Sequence, residues 1–206
     1  EEEEEEWTPP DEIEEVGPSE CASVNAVYNG HFFIHNDEDL KQARAYVEIQ
    51  GDLMMPGNLE VAHVELPCLR VITGTLFKPG CGATPTLKSI RMPLLESVGQ
   101  GIAIWGTESL EEIAFPALKS THLIRVEYNP ALVHMDFSSL ETVGQGVLVG
   151  NVLMDSIEFP ELSWVGSILS IRYMTDLESL SFPKLEEAGS LQLHDLESLS
   201  SFSFPG

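Results

Sequence analysis

The sequence predicts an all-β repeat protein, a right-handed parallel β-helix of leucine-rich-repeat character with about 22–23 residues per coil. Three observations predict it. Prolines recur at 67, 93, 116, 160, 183 and 205, with Ser138 in the one vacant place, at spacings of 26, 23, 22, 22, 23 and 22 residues. A leucine stands two residues behind each of these positions except the last: Leu69, Leu95, Leu118, Leu140, Leu162 and Leu185. Between these markers apolar residues alternate with a period of two, the pattern of short strands buried on one face.

Each unit has one grammar. An apolar-x-apolar-Pro step opens it, as in Ile113-Ala-Phe115-Pro116, Ile157-Glu-Phe159-Pro160 and Leu180-Ser-Phe182-Pro183. Proline lacks an N–H and fixes φ, so it stops the strand and sets a corner. The leucine follows, then Val98-Gly99, Val143-Gly144, Val165-Gly166 or Ala188-Gly189. Glycine is expected there to supply positive φ at a second corner. A second alternating pair comes next: Ile102/Ile104, Ile124/Val126, Val147/Val149, Leu169/Ile171 and Leu191/Leu193. Leu110, Leu132 and Leu177 close several units. Such runs are too short for ordinary helices. A unit of this size cannot bury its own apolar face, but stacked units can, with strands parallel from coil to coil. About seven coils at ~4.8 Å give a rod about 34 Å long. Phe115, Phe137, Phe159, Phe182 and Phe204 are expected to form one internal stack.

Residues 21–46 depart from the period and read as an N-terminal cap. Asp37 to Ala45 favours a short helix, with Asn36 or Asp37 as N-cap. Leu40, Ala43, Val47 and Ile49 then enter the repeat. A solenoid end exposes unpaired backbone, so an irregular cap belongs there. At the other end Phe204-Pro205-Gly206 stops part-way through a coil, which suggests a truncated chain or a following domain.

Charge is unevenly spread. The 206 residues carry 34 acidic against 10 basic side chains, a net of −24, and residues 1–20 hold 11 of the acids and no base. Six consecutive glutamates with Pro9, Pro10 and Pro18 nearby predict a disordered acidic linker over 1–20. The rest, 21–206, forms the solenoid domain. Strong negative charge disfavours nucleic acid and anionic membranes as partners. No apolar run reaches the roughly 18 residues of a membrane span. The chain begins at Glu1 without a visible signal peptide, so the expectation is a processed product or a fragment.

The units from Leu87 through Pro93, Leu95 and Val98 to Ile104, and from Ile113 through Pro116 and Leu118 to Asn129-Pro130-Ala-Leu132, resemble receptor L domains, the ligand-binding lobes of insulin and epidermal-growth-factor receptors. The Phe-Pro-x-Leu variant is also similar to repeats in fungal wall and bacterial surface proteins. The resemblance spans about residues 21–206. It implies a right-handed β-helix used outside the cell as a recognition surface. It also implies that Cys21 pairs with a cysteine just before the first repeat strand, yet Ala43-Arg-Ala-Tyr46 has none.

Chemistry-bearing motifs are sparse. Cys68 and Cys81 flank the one enlarged interval, where Lys78 to Pro85 makes an inserted loop. A Cys68–Cys81 disulfide would clamp it in a secreted protein; the alternative is two unpaired thiols. Cys21 is then free or paired elsewhere. His31 and His35 are four apart but lack metal-site companions, and Asn36-Asp-Glu-Asp39 lacks the pattern of a calcium loop. No metal or other cofactor is expected. Gly99-Gln-Gly101 and Gly144-Gln-Gly146 recur as repeat turns without the lysine of a phosphate loop. An enzymatic reading, a carbohydrate-active β-helix, would rest on Asp136, Glu158, Arg125 and Arg172.

Outward columns carry the better signal. Rare aromatics and arginines there mark interfaces. Stacking aligns Ala103, Arg125, Leu148, Ser170 and Gln192; then Trp105, Glu127, Gly150, Arg172 and His194; then Gly106, Tyr128, Asn151, Tyr173 and Asp195. Trp105, Arg125, Tyr128, Arg172 and Tyr173 are the expected ligand-binding patch, with Trp164 near the other corner. The expectation is a non-catalytic extracellular recognition or adhesion module for protein or glycan ligands at the cell surface. A purely architectural envelope protein is the remaining alternative. None of the six asparagines begins an Asn-x-Ser/Thr acceptor, which favours a bacterial exported protein, anchored by way of the acidic segment.

Overall fold

The structure, a computed structural model, describes residues 20–78 and 86–205. The expected linker over 1–20, Glu20 apart, lies outside the described residues, as does Cys81 with the loop beyond Lys78. The described chain is a parallel β-solenoid of about eight turns with little helix. All strand pairs are parallel.

Three ladders run along the solenoid. The first joins Ala26–Asn29, Tyr46–Gln50, Val71–Ile72 and Ser97–Val98; the second joins Phe32–Phe33, Leu53–Met54, Thr75–Lys78 and Gly101–Trp105. In later turns the two ladders fuse within the long strands Ser120–Asn129, Thr142–Val152, Trp164–Arg172 and Glu187–His194. The third holds the short strands before the prolines. Register is kept throughout: Ile102, Ile124, Val147, Leu169 and Leu191 share one position. His63, Ser89, Glu112 and His134 share another, as do Ser156, Ser179 and Ser201. Each proline position lies four residues beyond one of these.

The proline corner is a tight turn. Leu95 N–H donates to Met92 O at 3.1 Å, Leu118 to Phe115 O at 3.1 Å and Leu185 to Phe182 O at 3.2 Å. Proline thus sits second of four residues, where its fixed φ suits the turn and its missing N–H is not needed. The turn at Ser138 forms without it: Leu140 N–H donates to Phe137 O, and the Ser138 N–H donates to Asp136 Oδ1 at 2.9 Å. An aspartate side chain here replaces what the ring does elsewhere. The third ladder also divides at this level, into a four-stranded sheet ending at His134–Asp136 and a three-stranded sheet starting at Ser156–Glu158.

The phenylalanine column forms as expected. Successive ring centroids from Phe115 to Phe204 lie 5.6, 6.0, 5.6 and 5.4 Å apart, and the first four rings are buried. The Phe137–Phe159 contact spans the divided ladder. Core positions of the last rung, such as Leu191 and Phe202, are exposed, because no described rung covers them.

The glycine corner differs from expectation in its cause. Gly99, Gly144, Gly166 and Gly189 are not at positive φ. Gly99, Gly166 and Gly189 are required by close approach of the neighbouring backbone, whereas a Cβ on Gly144 would meet the His122 ring. A Cβ on Gly99 would lie 2.2 Å from Thr73 O, and one on Gly166 2.1 Å from Gly144 O.

The cap contains the expected helix, Asp37–Ala43, with Asn36 Oδ1 accepting from the Glu38 and Asp39 N–H groups. Residues 21–46 also supply a first rung on two of the three ladders, Ala26–Asn29 and Phe32–Phe33, turned at Gly30 with φ 124°. This adds to the seven coils that the proline column marks.

The disulfide expectation is corrected. Cys68 pairs with Cys21, not with Cys81. The two are 47 residues apart with Cα atoms 5.2 Å apart. That separation is about two repeats in sequence, and the bond ties the cap to the solenoid.

Candidate functional site

The second ladder presents three outward columns, and their register is the one the repeat predicts. Ala103, Arg125, Leu148, Ser170 and Gln192 align, as do Trp105, Glu127, Gly150, Arg172 and His194. Arg125 and Glu127 are two residues apart on one strand, so both side chains leave the same face.

Glu127 organises this surface. Its side chain is 1% exposed, an uncommon state for a carboxylate unless paired. Arg125 Nε donates to Glu127 Oε2 at 2.6 Å. Arg172 Nη2 donates to Glu127 Oε1 at 2.6 Å and its Nε at 3.3 Å. Burial alone would raise the Glu127 pKa. The hydrogen bonds from Arg172 and Arg125, with their charges, outweigh burial and hold it below the ordinary carboxylate value. The same bonding raises the Arg172 pKa.

The residue between Glu127 and Arg172 in the column is Gly150. A Cβ there would lie 2.5 Å from Arg172 O and 3.2 Å from Arg172 Cγ. Its absence leaves the path by which Arg172 reaches Glu127 two rungs away.

The aromatics attach to this ion network. The Arg125 guanidinium lies 5.0 Å from the Trp105 ring centroid, and Trp105 meets Phe77 edge-on at 5.0 Å. The Arg172 guanidinium lies 6.0 Å from the Tyr173 ring. Tyr128 is 52% exposed and Tyr173 49%. Arg125 and Arg172 thus hold the buried carboxylate, Trp105 and Tyr173 each lie beside one of these arginines, and Tyr128 follows Glu127 on the same strand. Trp164 stays apart, on the first ladder in register with Thr142 and Glu187.

Three contributors were absent from the sequence-level patch. Glu127 and Gly150 occupy the same column as Trp105 and Arg172, and a lone acid one strand step from Arg125 was the available signal. Asn129 is the third. Fully buried, it accepts the Thr107 N–H at 3.0 Å and donates to Ile104 O at 3.2 Å, locking the chain just after Tyr128 to the preceding rung.

The four residues of the enzymatic reading do not gather. Arg125 and Arg172 bind Glu127 on the large sheet, while Asp136 and Glu158 lie on two other sheets. Asp136 is engaged in the Ser138 turn. His31 and His35 are each beside a carboxylate, His31 Nδ1 at 2.9 Å from Asp52 Oδ2 and His35 Nδ1 at 3.3 Å from Asp39 Oδ2. A second charge network sits on the third ladder, where Arg91 bonds Glu112 and Glu65. The Glu112 hydrogen bond raises the Arg91 pKa. No helix among the described residues is long and apolar enough to cross a membrane. No family model, curated protein or solved structure matches the chain.

Proposed function

We propose that this chain is a non-catalytic recognition or adhesion module of receptor L-domain type, acting outside the cell. Its ligand, a protein or a glycan, docks on Trp105, Arg125, Tyr128, Arg172 and Tyr173. One observation carries the reading. Arginines from two rungs meet on the buried Glu127, and each lies beside an aromatic ring, Arg125 beside the half-buried Trp105 and Arg172 beside the exposed Tyr173. Tyr, Trp and Arg are the residue types that dominate binding hot spots, and rigid anchors lose little entropy on binding. The Cys21–Cys68 disulfide supports an oxidising compartment.

The test is an array of glycans and secreted-protein ectodomains, probed with the wild-type chain and with a variant carrying alanine at the five positions. The expected result is a ligand captured by the wild type and lost, by about tenfold or more in affinity, in the variant. Capture that the five substitutions leave unchanged would contradict the reading.

A further inference from the structure

The third outward column has an unusual backbone. Tyr128, Asn151, Tyr173 and Asp195 stand at the exits of four successive rungs, with φ of 57°, 53°, 57° and 53°. In the rung before, Gly106 takes the same conformation with φ 66°. Asparagine and aspartate tolerate this left-handed region and glycine adopts it freely, whereas a tyrosine is strained in it. Two of the five places nevertheless carry tyrosine, and both rings are about half exposed. Strain of this kind, held in place by rigid neighbours such as Asn129, concentrates at functional positions.

The two rings are two rungs apart on one line, hence roughly 10 Å apart along the solenoid axis. Asn151 lies between them in the column, half-buried. Arg172 immediately precedes Tyr173, and its guanidinium lies 6.0 Å from the Tyr173 ring centroid. Its Nη1 has no hydrogen-bond partner among the described residues. Aromatic faces with amide and guanidinium donors between them suit a sugar chain, whose C–H faces stack on rings and whose hydroxyls need polar partners. In an extended β-linked chain every second ring presents the same face, which matches rings on alternate rungs. The chain's net charge of −24, the Asp195 at the column's end and the neutralisation of one arginine by Glu127 all oppose a polyanion.

We propose that Tyr128, Asn151, Tyr173 and Arg172 form a subsite for a neutral, extended β-linked polysaccharide lying along the solenoid axis. This rests on the recognition reading above and names the class of its ligand.

The test is calorimetric titration of the full 206-residue chain with cellohexaose and chitohexaose, with cellobiose as the short control and polygalacturonate as the polyanion. At least one neutral hexasaccharide binds, about tenfold more tightly than cellobiose, which spans only one ring. Tyr128→Asn and Tyr173→Asn each weaken it by about tenfold, while the thermal midpoint holds or rises because asparagine accepts the left-handed backbone. The proposal is overturned if neither hexasaccharide binds, if both variants bind as the wild type does, or if polygalacturonate binds more tightly than either. Loss of an ectodomain ligand on the five-alanine variant, with no glycan bound, would overturn the glycan assignment alone. Failure of every array ligand to depend on the five positions would remove both readings.

Discussion

Arg172 reaches back across Gly150 to Glu127, 45 residues earlier in the chain, and its Nη2 lies 2.6 Å from Glu127 Oε1. Cys21 and Cys68, 47 residues apart, meet by the same arithmetic. Both pairs are separated by about two repeats in sequence. Contacts of this kind join rungs that do not pair through their backbones, and they make the candidate site a property of the stack.

Glu127→Gln keeps the shape of the side chain and removes its charge. Hydrogen bonds to charged groups contribute about 1.5–3 kcal/mol, discounted here because both arginines are more than a third exposed. The expected loss is about 1–2 kcal/mol of unfolding free energy at pH 7, read by denaturant titration. Since the folded Glu127 pKa is depressed, its contribution is present above the ordinary carboxylate value and fades as pH falls through the folded one. The gap between wild type and variant therefore closes in acid. A gap independent of pH would argue against the ion network.

Gly150→Ala and Gly166→Ala test close approach separately from binding. Each adds a Cβ against a backbone oxygen, at 2.5 Å from Arg172 O and 2.1 Å from Gly144 O. Both should cost about 1–3 kcal/mol of stability. Only Gly150→Ala obstructs the route of Arg172, so only it should also weaken capture of the patch ligand. Equal binding losses would show that both glycines act through global stability.

Peptide mapping without reduction should recover Cys21 linked to Cys68. Replacing both by serine removes a 47-residue closed loop, worth about 4 kcal/mol by chain entropy. A recovered Cys68–Cys81 peptide would contradict the described pairing.

Ser138→Pro should be tolerated to within about 1 kcal/mol, because proline occupies the equivalent place in five other turns, at Pro67, Pro93, Pro116, Pro160 and Pro183. The lost Ser138 N–H bond to Asp136 offsets the gain from a stiffer unfolded chain. A loss of several kcal/mol, measured by thermal unfolding, would show that this turn differs from its neighbours.

The rungs were legible because period and chemistry agree. Pro93, Leu95 and Phe115 each have one structural reason to recur, and the reason can be read from a single residue type. The outward columns follow from the same alignment, which places Trp105 and Arg172 in one column, Tyr128 and Tyr173 in the next, and Arg125 beside them. What could not be read was contact across two rungs. Cys81 lies near Cys68 in sequence, and that nearness outweighed a partner 47 residues away. Glu127 was one acid among 34, and only its burial sets it apart. The glycine corner was placed correctly but for the wrong reason, because a missing Cβ and a positive φ leave the same mark on a sequence.

The most direct measurement is a double-mutant cycle on Glu127→Gln and Arg172→Gln, read as unfolding free energy at pH 7. Two side chains that meet across Gly150 should show a coupling of about 1 kcal/mol. Effects that add to within about 0.3 kcal/mol would mean that the two rungs do not touch at this point, and the patch built on their meeting would have no foundation.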